Sequence, residues 1–141
     1  GLNGLIKLSI GNGGLNGVEN MNIGSDSLNS LSSFDMSRFV NMRGLLIGSD
    51  SLSQIESLRL NKLEMVEIGS GSVGGVNVLE IGSNSLNSVD FSTLDLRPFV
   101  NAKRIRISWN SLKNVESILV NPIPSLIELS VDSNSLSKLR R

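Results

Sequence analysis

Along most of the chain, aliphatic residues alternate with polar ones for a few positions and then yield to a short Gly, Ser, Asn or Asp segment, as in Leu79-Glu80-Ile81 and Leu129-Ser130-Val131 with the residues after them. A period of two is what a strand with one buried face requires. The small polar segments are turn formers. The same eleven-position pattern recurs seven times, over Leu5 to Leu15, Val18 to Leu28, Met42 to Leu52, Leu63 to Val73, Val76 to Leu86, Ala102 to Leu112 and Leu126 to Leu136. One short strand cannot bury its apolar face alone, but stacked copies can. The pattern therefore predicts a coil with a parallel sheet along one side.

The shared frame, L-x-x-L-x-L-x-x-N-x-L with aliphatic substitutions and one Ala at the first position, resembles the leucine-rich-repeat family over nearly the whole chain. The resemblance implies an α/β-type solenoid dominated by β, with a parallel sheet on the concave face and irregular or short helical return segments. It also implies an inward-bonding side chain at the ninth position. That position holds Gly13, Asp26, Asp50, Gly71, Asn84, Asn110 and Asn134. Asn and Asp can bond backbone groups locally; glycine cannot, so looser coils are expected at Gly13 and Gly71.

The repeat is uneven. Its fourth positions fall at Leu8, Met21, Leu45, Val66, Leu79, Ile105 and Leu129. Two of the steps, Leu8 to Met21 and Val66 to Leu79, are roughly half as long as the other four. Thirteen residues are too few for a complete circuit. Either two coils lack a return segment, or one frame of each close pair lies outside the main sheet; the second is favoured for at least one pair, leaving five to seven concave strands. A longer period relates 29–73 to 87–136, each holding a version of Arg-Phe-Val-Asn (Arg38 to Asn41, and Arg97 to Asn101 with Pro98 inserted). Phe34, Phe39, Phe91 and Phe99 are expected to fill the core behind the sheet. Ser32 to Asp35 and Asp95 to Phe99 are each long enough for one helical turn, whereas Pro122 and Pro124 keep 119–125 extended or turning. Neither end carries a polar cap. The expectation is a single domain, 1–141, cut from a longer solenoid, its ends continued by further repeats or covered by a partner.

Composition narrows the chemistry. The chain has 13 basic and 13 acidic residues, which argues against a nucleic-acid binder. No run of 18 apolar residues predicts membrane insertion. With no His and no Cys, most nucleophile–base pairs and zinc sites are removed. A carboxylate pair, Glu67 with Glu80 or Glu80 with Glu128, reads as solvated surface. No catalytic, metal or cofactor-binding residue is assigned, and the protein is read as a non-enzyme. Disulfides and Asn-X-Ser/Thr sequons are also missing from the sequence. The family resemblance slightly favours an extracellular or cell-surface setting, and these absences leave the cytoplasm open.

What remains is binding. The family's default activity is protein–protein recognition through the concave face. The candidate protein-binding residues are Glu67, Glu80, Arg104, Arg106, Trp109 and Glu128. Trp109 is the only Trp and occupies an eighth position that elsewhere holds Ser or Asn. A Trp beside two Arg has the composition of an interface anchor; packing of Trp109 on a neighbour, with the charges pairing among themselves, is the competing reading. The alternatives for function are a structural element of a larger assembly and, with less support, ice or carbohydrate binding, the ice reading through the row Ser25, Ser49, Ser70 and Ser83. A single Thr, Thr93, argues against the regular ladder that ice binding needs.

Overall fold

The computed structural model describes residues 4–9, 15–34, 36 and 39–140. Among the described residues nine strands succeed one another: β1 Asn20–Ile23, β2 Gly44–Ile47, β3 Ser57–Leu60, β4 Met65–Ile68, β5 Val78–Ile81, β6 Thr93–Asp95, β7 Arg104–Ile107, β8 Ser117–Leu119 and β9 Glu128–Val131. All pairings are parallel, in the orders β1-β2-β4, β3-β5-β7-β9 and β6-β8. The chain is a parallel β-solenoid of about five turns with ~24 residues per turn. After β2, successive strands alternate between two faces. The first face carries β1, β2 and β4, and then, across a cleft, β6 and β8. The second carries β3, β5, β7 and β9.

The return path corrects the expectation of helical segments: from β2 onward it is strand, while its described part between β1 and β2 is irregular, with a single 3-10 residue at Met36. Each half-circuit has room for one strand and a corner, and the returning segments have their own period-two alternation, as in Leu58-Arg59-Leu60, whose Leu side chains are buried while Arg59 is exposed. Nor does Asp95 to Phe99 form a helical turn: Asp95 ends β6, and Phe99 N–H bonds back to Leu96 O in a tight turn. Ser32 to Phe34 is irregular, and Asp35 lies outside the described residues.

The short step between Val66 and Leu79 is half a coil. Val66 lies on the first face and Leu79 on the second. The frames starting at Val18, Met42 and Leu63 place their strands on the first face, and those starting at Val76, Ala102 and Leu126 on the second. The frame Leu5 to Leu15 falls partly outside the described residues, and its described positions 5–9 hold no strand.

Fourth and sixth positions point inward from both faces. Leu45, Ile47, Leu79, Ile81, Ile105 and Ile107 are all nearly fully buried and share one core with Phe39, Phe91 and Phe99. Phe34 packs against that core and stacks obliquely on Phe39.

The corners overturn the reading of the ninth position. Asp26, Asp50, Asn84 and Asn134 are exposed, with φ between 53° and 59°, and Gly71 has the same left-handed turn at 74°. Asn, Asp and Gly are selected there because they tolerate positive φ, so Gly71 fits its corner rather than loosening it. Gly13 lies outside the described residues. The eleventh residues Leu28, Leu52, Val73, Leu86, Leu112 and Leu136 also have positive φ. For Leu52, Val73, Leu86 and Leu112 this strain accompanies complete burial.

The inward hydrogen bonding falls instead to the tenth position, where six frames carry Ser. Ser51, Ser72, Ser85 and Ser111 are fully buried. Ser51 Oγ donates to Gly24 O at 2.7 Å and accepts from Ser27 N–H at 3.1 Å. Ser111 Oγ donates to Gly82 O at 2.6 Å and accepts from Ser85 N–H at 3.3 Å. Each of these two hydroxyls ties its coil to the preceding one and satisfies two backbone groups there.

Candidate functional site

Third and fifth frame positions point outward, but onto two faces rather than one concave surface. The candidate residues divide accordingly. Glu80 on β5, Arg104 and Arg106 on β7, and Glu128 on β9 share the second face, whereas Glu67 on β4 stands on the first. The pairing of Glu67 with Glu80 is therefore ruled out by the half-coil switch between their frames.

Strand register builds the rest of the cluster. Glu80 lies directly opposite Arg106, and Arg104 opposite Glu128. Opposed charges at these positions favour the register. Arg106 bridges both carboxylates, with Nη1 3.2 Å from Glu80 Oε1 and Nε 2.9 Å from Glu128 Oε1. Arg104 Nε reaches Glu128 Oε2 at 3.3 Å. Glu80 and Glu128, each bound to Arg106, serve as its clamps rather than as a free acid–base couple. Hydrogen bonds from Arg106, followed by the attraction of Arg106 and Arg104, hold Glu128 below the usual carboxylate range. Glu128 in turn raises Arg106 further above its ordinary value.

Sequence reasoning misses Arg59. It lies on β3, directly opposite Glu80, with Nε 3.9 Å from Oε2. The line Arg59–Glu80–Arg106–Glu128–Arg104 crosses four strands and contains three cations and two anions. Arg59 belongs to a return strand rather than to an eleven-position frame. The signal that could have found it is the step from Leu45 to Leu58, which equals the half-coil step from Val66 to Leu79.

Trp109 is in the corner after β7 rather than on a strand. Its neighbours in that corner column are Ser83 and Ser133: its carbonyl accepts from Asn84 N–H at 3.1 Å, and Asn110 N–H donates to Ser133 O at 3.1 Å. The side chain is 47% exposed. Among the described residues the indole makes no ring contact and its N–H has no acceptor. Ser25, Ser49 and Ser70 stack in the corners after β1, β2 and β4, whereas Ser83 follows β5 on the other face, so the four do not form one row.

Among the described residues no group of three or more acidic, His or Cys side chains is placed to hold a metal. No helix there is long and apolar enough to cross a membrane. At the C-terminal coil, Ile127, Leu129 and Val131 are 72%, 61% and 46% exposed, although Leu129 and Val131 occupy the inward columns buried in the preceding coils.

Comparison with known proteins identifies no relative: no protein-family model, curated protein or solved structure matches the chain.

Proposed function

We propose that this solenoid is a non-catalytic recognition module that binds a protein through the face formed by β3, β5, β7 and β9, with Trp109 at its margin as the anchor. The carrying observation is that the Trp109 side chain stands half-exposed with no partner among the described residues, one corner away from an ordered line of Arg and Glu. Large aromatic side chains and Arg dominate interface energetics when a partner removes them from water. The pre-paired charges give the face a fixed electrostatic pattern, and such patterns set specificity and encounter rate more than affinity.

The finer identification as a leucine-rich-repeat coil rests on the seven frames, supported by the inward orientation of their fourth and sixth positions.

The test is affinity capture from the native source with the intact chain, Trp109→Ala and Arg106→Ala, each checked by circular dichroism. Loss of one specific protein from both variants supports the charged face. Identical partners in all three samples sink it.

A further inference from the structure

The first face is interrupted. Its strands start at Asn20, Gly44, Met65, Thr93 and Ser117, and the step from β4 to β6 is longer than any step between its paired strands. Two ties bracket the interruption. Leu86 N–H donates to Leu63 O at 2.6 Å, and Asn101 Nδ2 donates to Gly74 O at 2.8 Å. Between them the lower coil runs eleven residues, from Leu63 to Gly74, and the upper coil fifteen, from Leu86 to Asn101. Four extra residues between the same anchor points bow the upper coil away. No ladder joins β4 to β6.

The opening forms a cleft of about 260 Å³ between β4 and β6; of the apolar residues lining it, Ile68 is half-buried, while Leu60, Val66, Ile81, Leu94 and Phe99 stay between 0% and 9% exposed. Ile23 and Ile47, in the same column as Ile68, are 6% and 1% exposed. The rim carries Glu67 and Asp95.

The geometry points to strand addition: this cleft takes an extended peptide that alternates aliphatic with polar residues and presents one Lys or Arg between Glu67 and Asp95. Neighbouring strands lie ~4.8 Å apart, so a strand inserted between β4 and β6 pairs with both when it holds them about twice that distance apart. Both lips are strand edges whose backbone groups pair on one side only, and such edges template a further strand. The apolar floor requires aliphatic side chains at alternate positions, because strand side chains alternate between faces. Glu67 sets the outward charge: among the described residues it has no ion-pair partner, whereas Asp95 is held by Arg97 of its own coil at 2.9 Å. None of the residues assigned to the charged second face takes part, so the two sites fail or stand separately.

The experiment uses fluorescence anisotropy with a labelled peptide of about seven residues, valines alternating with threonines around a central lysine. Saturable binding is expected, with slowed amide exchange confined to β4 and β6. Glu67→Lys should weaken it about tenfold and Glu67→Gln about threefold, both with an unchanged circular dichroism spectrum, and a peptide with glutamate at its centre should bind about tenfold more weakly. Absence of saturable binding overturns the proposal. So does affinity indifferent to the charge at Glu67, or protection that appears at the free edge of β9 instead.

Discussion

The two faces of the coil are made from the same kind of strand yet differ in continuity. On the second face β3, β5, β7 and β9 start at Ser57, Val78, Arg104 and Glu128 and pair without a break. On the first face the step from Met65 to Thr93 exceeds all of these, and there the ladder stops. Pairing survives the step from Val78 to Arg104 and is lost across one only slightly longer. Solenoid register is thus a matter of matched path length between neighbouring coils, and excess chain emerges as an opening on one face. The packing follows. Leu58, Leu79 and Ile105 on the continuous face are at most 2% exposed, whereas Val66 at the break is 9% exposed and Ile68 half-buried.

The largest expected effect tests that packing difference. Leu79→Ala removes a side chain enclosed by coils on both sides and should destabilise the fold by about 3–4 kcal/mol. Ile68→Ala, beside the open cleft, should cost only about 1–2 kcal/mol, since part of its surface already meets solvent. Urea denaturation of both variants measures the gap. Equal losses would mean that the break does not loosen the core.

Next comes the serine ladder. Ser111→Ala leaves Gly82 O and Ser85 N–H without their partner at a fully buried position. The expected loss is about 2 kcal/mol. Ser27→Ala is the counterpart at a half-buried position, where the hydroxyl donates to Ser25 O within its own turn; it should lose about 0.5 kcal/mol. Similar melting temperatures for the two variants would remove the ladder from the account of what joins the coils.

A smaller contrast separates the corner after β4 from the corner after β7. A Cβ on Gly69 would lie 2.5 Å from Ser49 N and 2.7 Å from Gly48 C, so the stacked backbones leave no room. The equivalent seventh position after β7 is Ser108, half-buried and already bearing a side chain. Gly69→Ala should cost about 1–2 kcal/mol through forced separation of the coils. Ser108→Ala should stay within about 0.5 kcal/mol. Thermal denaturation of the pair checks both.

These contrasts also show what can be read beforehand. The frame, the parallel stacking and the inward fourth and sixth positions are legible, because aliphatic alternation reports burial directly. The two-faced coil is harder to see: a return strand such as Leu58-Arg59-Leu60 offers only two apolar residues and no eleven-position frame. The half-coil switch leaves a trace in the short step from Val66 to Leu79, yet its length alone does not say which face a frame joins. Frame position therefore groups Glu67 with residues on the opposite face and omits Arg59. The buried Ser at the tenth position looks like ordinary turn chemistry, since the sequence does not distinguish a hydroxyl facing the core from one facing water.

The smallest effect concerns the charges on the two faces, and its sign follows from linkage. Glu128 is held below its ordinary value chiefly by hydrogen bonds from Arg106, and Asp95 chiefly by hydrogen bonds from Arg97. A carboxylate whose pKa is depressed by folding adds stability above its unfolded value, about 4.3 for Glu and 3.9 for Asp, and that stability disappears as pH falls through the lower folded value. The two contacts differ in what they require. Arg106 reaches Glu128 only when β7 and β9 stack, whereas Arg97 is two residues from Asp95 and keeps much of its contact in an unfolded chain. Glu128→Gln should therefore lower the melting temperature at neutral pH by more than Asp95→Asn does. Both differences should shrink in acid below the unfolded carboxylate range, and both should weaken with added salt, as exposed pairs do. Equal losses at neutral pH would show that the ion pairs of the continuous face hold its coils together no better than a contact within a single coil.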